Sequence, residues 1–296
     1  MRQASFETSH WAKASPKSLS DASCLSLLNS DRAFTVIELL SVLAVLVFVS
    51  ALVLPAFART KAASQRIGCS DNLRRIGVAF NTWGSSHSDA FPMSVPVTSG
   101  GYADFVGVRT LSPAQDISRG VFGNFLVMSN ELNTPRVLIC PAENEGRRRA
   151  ATTFSGFVDP GTTEMAFTND LNTSYFIGID AVETGALMLL SGDHNIGSDG
   201  NLIPISGFVI PPATYRPSFS VTLGTNFAIN AGPGWLDTMH TKQGNVVMGD
   251  GSVQQLNRPH LQETLRKAPV AVWGTLSGFR LAPGCIGDRA NRIQFP

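Results

Sequence analysis

The sequence has little charge and no excess of either sign. Its 296 residues include 23 lysines and arginines against 22 acidic residues, a formal net charge of +1, and charged residues make up only 15%. A nucleic-acid-binding protein usually presents a basic surface, so we expect no nucleic-acid partner. Hydrophobic residues reach 43%, and a chain of this length and composition can bury a sizeable core.

Closely spaced cysteines are also absent. The four cysteines stand far apart, at Cys24, Cys69, Cys140 and Cys285, whereas zinc sites and thioredoxin-type redox sites typically use C-x-x-C pairs. We therefore expect no metal bound through sulfur and no cofactor. In an oxidising compartment, one disulfide among the last three cysteines is one interpretation, and three buried free thiols are the other.

A long apolar run lies near the N-terminus. Residues 39–54, LLSVLAVLVFVSALVL, carry no charge and only two serines, and the flanking apolar residues extend the run nearly to membrane-spanning length. The run is apolar on all sides instead of along one stripe, which favours a membrane anchor over a buried helix. We assign residues 1–33, rich in serine and alanine, to a leader and residues 34–57 to the membrane-spanning part.

The next segment has a different pattern. After Pro55, basic residues alternate with small ones, and Leu73, Ile76, Phe80 and Trp83 recur at helical spacing. The sequence thus predicts one helix over residues 34–86, about 75 Å long, apolar throughout its first half and one-sided in its second. A kink is expected at Pro55, which lacks an amide proton and clashes with the carbonyl four residues earlier.

Residues 87–296 are rich in turn-forming residues and predict a loop-rich globular domain. Overall the chain contains 27 glycines and 17 prolines, and Asp250-Gly251 reads as a two-residue hairpin turn. The patterns predict an α+β fold in which the one-sided helix packs on a small, mostly antiparallel sheet. The predicted elements are a helix over 116–132 and strands over 137–140, 175–179, 187–190, 219–223, 226–229, 245–248 and 252–256.

One acidic residue interrupts the start of the apolar helix. Glu38 lies four residues after Phe34, within Arg32-Ala33-Phe34-Thr35-Val36-Ile37-Glu38-Leu39-Leu40. A carboxylate in hydrocarbon costs about 2.5–3.5 kcal/mol on insertion scales, so such a residue usually has a partner or a function. Cleavage after Ala33 would supply a partner, because the new amine of Phe34, on the same or a neighbouring chain, can pair with Glu38.

This stretch resembles the prepilin-type cleavage and methylation signal of type IV pilins and type II secretion pseudopilins. The resemblance implies that a prepilin peptidase cuts between Ala33 and Phe34 and methylates the Phe34 amine, and that Glu38 sets subunit register. It also implies an inner-membrane protein with one span and an extracytoplasmic domain, assembled with other subunits on a secretion platform. Two departures are Ala33, where the family usually has glycine, and the length of the leader.

The resemblance continues along the chain. Cys69-Ser70-Asp71-Asn72-Leu73 with Ile76-Gly77, then Cys140-Pro141, then His240 followed by Asp250-Gly251, look like the pseudopilin-like family with a C-terminal H-x9-DG motif, abundant in planctomycetes and verrucomicrobia. Cys69 and Cys140, both within these motifs, are the candidate disulfide. For His240, Asp250 and Gly251 we favour a structural role, fixing a hairpin against its neighbour, over a catalytic one.

Three other interpretations compete with a filament subunit. Ala56-Phe57-Ala58 resembles a signal-peptidase site, and cleavage there would release a soluble binding protein or hydrolase. Basic residues after the anchor would place the domain in the cytoplasm by the positive-inside rule, against the topology that the processing motif requires. An anchored enzyme is the third. It would use some of His87, His194, His240 and His260 with Asp193, Asp237 or Asp250, but no known catalytic motif accompanies them.

The loop after residue 192 carries alternating oxygen ligands, with Asp193, Asn195 and Asp199 as candidate calcium ligands. The loop lacks the closing glutamate of calcium-binding loops, and the same residue types crowd ordinary turns. Calcium is therefore the only ion that the sequence suggests, and we expect a non-enzymatic protein without a resident cofactor.

Overall fold

We describe a computed structural model of the chain, which covers residues 35–106, 120–143, 146, 148–156, 158–159, 161–197, 220–225, 227, 232–268 and 291–296. The chain divides into two compact units, Met1–Pro55 and Ala56–Pro296. The described part of the first unit is helical throughout, apart from Thr35. All of the strands among the described residues lie in the second unit.

The longest helix, α1 (Val36–Ser85), spans 50 residues and runs through Pro55. The large apolar side chains from Val36 to Phe57 are each between 41% and 74% exposed. Among the described residues, α1 is the one helix that is long and apolar enough to cross a membrane, by length and composition. The predicted apolar N-terminal helix is therefore confirmed.

The later part of α1 is one-sided, as its sequence predicts. Within the second unit it buries Leu73, Ile76, Phe80 and Trp83, none of them more than 3% exposed, while Ile67 and Val78 remain exposed. The buried residues follow one another at intervals of three and four, so they form a single stripe on the helix. The amphipathic half of α1 is thus part of the core of the second unit.

The strands among the described residues are β1 (Tyr175–Gly178), β2 (Leu189–Asp193), β3 (Ile196–Gly197), β4 (Ser220–Thr222), β5 (Gly234–Trp235), β6 (Gln243–Met248), β7 (Val253–Asn257) and β8 (Arg292–Gln294). Six of them form one sheet in the order β4-β8-β1-β2-β6-β7, and every pairing in this sheet is antiparallel. A second sheet pairs β3 with β5.

The larger sheet is buried on both faces. Tyr175 and Ile177 of β1 join the core cluster that contains α1, whereas Phe176, between them, joins a second cluster on the opposite face. This alternation follows from the two-residue period of a strand. The second cluster also contains Leu261 and Leu265 of helix α4 (Arg258–Lys267). The second unit therefore has three layers, with the sheet between α1 and α4.

Several predicted elements need correction. The predicted strand over 137–140 is wrong, since residues Pro135–Leu138 form a 3₁₀ turn that begins at a proline. In place of one helix over 116–132 there are two short ones, α2 (Phe122–Val127) and α3 (Ser129–Leu132), separated at Met128, and residues 116–119 lie outside the described residues. The strand over 226–229 also falls largely outside them.

The predictions for β1, β6 and β7 are confirmed to within two residues, but the connection between β6 and β7 is not a two-residue turn. Four residues separate the two strands, and only Gly251 among them has a positive φ, of 81°. The Gly251 amide donates to the Met248 carbonyl at 2.9 Å, and Asp250 Oδ1 accepts from the Ser252 amide at 2.9 Å. Asp250-Gly251 is therefore a turn, but a wider one than predicted.

Candidate functional site

Of the residues predicted to act in processing and assembly, Glu38 lies in the first turn of α1. Ala33 and Phe34 lie outside the described residues, which begin at Thr35. Glu38 Oε2 accepts hydrogen bonds from the backbone amide and the hydroxyl of Thr35, both at 2.9 Å, and Thr35 Oγ1 accepts from the Glu38 amide at 3.3 Å. Thr35 and Glu38 thus form a capping box, the reciprocal arrangement that satisfies free amides at a helix N-terminus.

The capping box gives Glu38 a local role that the sequence analysis missed. The signal was available, because T-x-x-E immediately before an apolar run is the usual pattern of a capping box. Only one carboxylate oxygen of Glu38, Oε2, is used by Thr35. A carboxylate has about four acceptor positions, so Glu38 can accept from a second donor without giving up the cap.

A second group of predicted residues meets inside the globular unit. Cys69 of α1 and Cys140 form a disulfide, with their Cα atoms 5.0 Å apart, and neither residue is more than 1% exposed. Hydrogen bonds on both sides hold the same contact. Gln65 Nε2 donates to the Pro141 carbonyl at 2.8 Å, and Asn72 Nδ2 donates to the Ile139 carbonyl at 3.0 Å. The motif residues around Cys69 and Cys140 therefore attach α1 to one segment.

Two buried ionisable side chains lie beside this disulfide. His240 Nε2 is 3.3 Å from Cys140 Sγ and 3.3 Å from Asp193 Oδ2, at the end of β2. Asp193 Oδ2 also accepts from the backbone amide of Asn245 at 2.7 Å and from its side-chain amide at 2.9 Å. We call Cys69, Cys140, Asp193 and His240 the buried cluster. All four are buried, with Asp193 completely so.

Burial shifts the ionisation of both groups towards their neutral forms. It raises the pKa of Asp193 from 3.8 to about 7, although hydrogen bonds from Asn245 act in the opposite direction. It lowers the pKa of His240 from 6.5 to about 4, and the positive charge of Arg66 adds to this effect. The Arg66 guanidinium donates to the His240 carbonyl at 3.0 Å. His240 is thus held in its neutral form at neutral pH.

The spacing of the H-x9-DG residues matches the packing of β6 along α1. His240 lies before β6, near Cys69, and Gly251 lies after β6, where an added Cβ would be 2.8 Å from Asn81 Nδ2. The six residues of β6 span about 20 Å, and the twelve residues from Cys69 to Asn81 rise about 18 Å along a helix. The motif residues therefore lie on either side of a strand that is similar in length to the segment of α1 between Cys69 and Asn81.

Glycine is required at two points of this contact. Gly251 has a positive φ of 81° and faces Asn81, and a Cβ on Gly77 would be 2.7 Å from Val247 Cγ2. Side chains at these positions would push β6 and its turn away from α1. The structural role that we expected for Asp250-Gly251 stays a prediction.

A network of buried charges lies around Glu143. Glu143 Oε2 contacts Ser174 Oγ at 2.7 Å, His194 Nε2 at 3.0 Å and Arg148 Nε at 3.6 Å. Arg148 also donates to the carbonyls of Asp170 and Thr173. His194 is therefore engaged with a carboxylate in the core.

The remaining candidates of the sequence analysis are distributed over the unit. His87 stacks on Trp83 with ring centroids 3.6 Å apart, and His260 is exposed on α4. Asp237 is exposed, with its carboxylate 3.9 Å from Lys242 Nζ. Of the histidines named as enzyme candidates, His240 is brought to Asp193, while His87 and His260 stand elsewhere.

The candidate calcium ligands are used differently from the prediction. Asp193 belongs to the buried cluster, and Asn195 Nδ2 donates to the carbonyls of Leu236 and Gln243 at 3.0 and 3.2 Å. Asp199 lies outside the described residues. Both described side chains therefore make contacts within the core.

Comparison with known proteins gives no relative. No protein-family model, no curated protein and no solved structure matches the chain.

Proposed function

We propose that this chain is a structural subunit of a pilin-like filament, a type II secretion pseudopilus or a type IV pilus-like assembly. The observation that carries the proposal is α1, a single helix whose N-terminal part exposes apolar side chains and whose C-terminal part is built into a globular core. A helix apolar on every side needs lipid or other apolar helices around it. Such a helix can serve first as a membrane anchor and then as a filament core.

Glu38 turns this anchor into an assembly element. Its carboxylate lies in the first turn of α1, one residue after Ile37, which is 73% exposed. Cleavage after Ala33 would leave the amine of Phe34 directly before Thr35, close enough in sequence to pair with Glu38 of its own or a neighbouring chain. An ion pair between subunits removes an unpaired charge from an apolar environment, which favours one register of packing.

The Cys69–Cys140 disulfide supports an extracytoplasmic location for the globular unit. Structural disulfides persist in oxidising compartments such as the periplasm and are rare in the cytosol. In the proposed topology the leader stays in the cytoplasm, α1 crosses the inner membrane once, and the domain is exported. The partners are then a prepilin peptidase, further pilin-like subunits, a membrane-embedded secretion platform and lipid.

Mapping of the mature N-terminus tests the processing step. The full chain is produced together with a prepilin peptidase, and the purified product is sequenced and weighed by mass spectrometry. We expect a chain that starts at an N-methylated Phe34, and an Ala33→Glu variant that stays uncleaved because the small residue before the cut is lost. A chain that starts at Arg59 would instead show secretory release and would refute the proposal.

Two variants separate the assembly role of Glu38 from its capping role. Glu38→Ala removes the carboxylate, whereas Thr35→Val removes the hydroxyl partner and keeps the carboxylate. We expect both variants to insert into membranes and only Glu38→Ala to lose assembly, measured by sedimentation of sheared filaments and by crosslinking between subunits. Equal loss of assembly in the two variants would reduce Glu38 to a helix cap, and loss of membrane association in Glu38→Ala would contradict the anchor.

A further inference from the structure

The buried cluster combines the side chains that bind a divalent transition metal. Cys69, Cys140, Asp193 and His240 each offer one ligand atom, and these four atoms all lie within 4.8 Å of one another. Two sulfurs, one imidazole nitrogen and one carboxylate oxygen form a set that suits zinc, while magnesium and calcium prefer oxygen ligands alone. The four residues come from α1, the segment after the 3₁₀ turn, β2 and the turn before β6.

Two of the distances in the cluster are close to the edges of a tetrahedron around zinc. With usual zinc–ligand bond lengths, the nitrogen–oxygen and nitrogen–sulfur edges are about 3.4 and 3.6 Å. In the structure His240 Nε2 lies 3.3 Å from both Asp193 Oδ2 and Cys140 Sγ. The two sulfurs need to separate to about 3.8 Å. Once the disulfide is reduced, rotation of the two cysteine side chains can provide this separation without movement of the backbone. The two distances from His240 Nε2 are therefore close to those of a zinc site, whereas the two sulfurs must move apart.

The surroundings of the cluster contain groups that complement a bound cation. Asp193 Oδ1 and Asn245 Oδ1 are buried acceptor atoms for which the described part of the chain supplies no hydrogen-bond donor. Asn245 also orients the Asp193 carboxylate through two hydrogen bonds, as residues behind metal ligands commonly do. Two thiolates and a carboxylate around a divalent ion leave one net negative charge, and the Arg66 guanidinium, bonded to the His240 carbonyl, is placed to offset it.

We propose that the buried cluster is a zinc site when Cys69 and Cys140 are reduced, so that the same pair of cysteines alternates between a disulfide and a metal centre. A dithiol reductant breaks the sulfur–sulfur bond by supplying two electrons and two protons, so that Cys69 and Cys140 become thiols while the two thiols of the reductant become a disulfide. Binding of Zn²⁺ then releases these two protons to solvent. The two states exclude each other, because a metal ligand must be a thiolate.

Cobalt binding to the full chain tests this proposal. The protein carries Cys24→Ser and Cys285→Ser, so that only the clustered cysteines remain, and is reduced in detergent without oxygen. We expect one equivalent of Co²⁺ to give the thiolate charge-transfer absorption and the intense visible bands of tetrahedral cobalt, and Zn²⁺ to displace it. The same protein in its disulfide form should give neither signal.

Ligand variants identify the site. His240→Gln and Asp193→Asn should each weaken Zn²⁺ binding at least tenfold, since even residues behind metal ligands contribute ~10–100-fold. His260→Gln, the same substitution at an exposed histidine, should leave affinity unchanged. If a ligand variant fails to fold, the comparison of cobalt binding between the oxidised and reduced forms of the protein with an intact buried cluster still tests the proposal.

Three results would overturn the proposal. One is a reduced protein that keeps its helical circular dichroism and gives no thiolate–cobalt absorption. Another is equal cobalt binding by the oxidised and reduced forms. The third is loss of the native tryptophan fluorescence on reduction that neither zinc nor cobalt restores.

Discussion

Replacing His240 by glutamine should make the stability of the globular unit fall steeply as the pH rises from about 4 to about 7. Without His240, burial still raises the pKa of Asp193 from 3.8 to about 7, because the causes of this shift are burial and groups other than His240. The folded protein then holds a proton that the unfolded chain has released. The stabilisation is complete below pH about 4 and is lost as the pH rises towards 7.

The expected loss is about 4 kcal/mol, since a shift of three pKa units corresponds to about 1.4 kcal/mol per unit. The unsubstituted protein should change by only about 1 kcal/mol over the same range. In that protein the pKa of His240 is lowered from 6.5 to about 4. Between these pH values the unfolded chain carries one proton on His240, and the folded chain carries one proton on Asp193 instead. Both states then bind nearly equal numbers of protons.

Asp193→Asn should show the opposite slope. In this variant the Asp193 carboxyl group is absent, and His240 alone titrates. Because its pKa is lowered from 6.5 to about 4, His240 is protonated between these pH values in the unfolded chain and not in the folded chain. Stability should therefore decline as the pH falls through this range. The stability of the two single variants should thus depend on pH with opposite sign, although the substituted side chains have atoms only 3.3 Å apart.

Urea unfolding of the full chain in detergent at half-unit pH steps provides the measurement. Trp83 and Trp235 are 3% and 1% exposed, so their fluorescence reports unfolding of the core. His260→Gln serves as the control and should follow the unsubstituted protein at every pH. A His240→Gln profile that is flat, or that rises from pH 4 to 7, would refute the inference that Asp193 is protonated in the folded state.

Two further substitutions test the contacts that hold α1 in the globular unit. Replacing Cys69 and Cys140 together by serine should lower the free energy of unfolding by about 2–4 kcal/mol, because the bridge closes a loop with a sequence separation of 71; a loss below about 1 kcal/mol in urea unfolding would contradict this. Gly251→Ala should cost about 1–2 kcal/mol for its positive φ and more for the approach to Asn81. Gly156→Ala is the control, because its added Cβ would meet nothing within 4 Å, and it should change the free energy of unfolding by less than about 0.5 kcal/mol. Equal effects of the two substitutions would count against the close contact between Gly251 and Asn81.

Elements with a strong local pattern could be predicted from the sequence. An uncharged apolar run followed by a one-sided apolar stripe predicts the helix α1. Two apolar segments on either side of a glycine-containing turn predict β6 and β7. Helix α4 was missed although its signals are present. Asn257 caps it by accepting from the His260 amide at 3.0 Å, and Pro259 lies in its first turn. An asparagine cap and a proline directly after a strand together predict the start of a helix.

Elements that depend on long-range contacts could not be predicted in this way. Residues 137–140 are apolar like a buried strand, yet Pro135 starts a 3₁₀ turn and the Leu138 carbonyl is used by the Ser174 amide at 2.8 Å. The buried cluster is the clearest case. Its members are separated by about 50 to 70 residues and carry no spacing signature, so only the path of the chain brings them together.

The position of β8 determines when the globular unit can be completed during biosynthesis. This strand follows every other described strand along the chain, yet it pairs with β1 on one side and β4 on the other. A polypeptide leaves the ribosome N-terminus first. Until Arg292 has been synthesised, the edge of β1 that pairs with β8 is therefore exposed, and β4 lacks its one described neighbour. Unpaired edges readily recruit foreign strands. The interval before residues 292–294 arrive is thus the period in which the nascent chain is most exposed to aggregation.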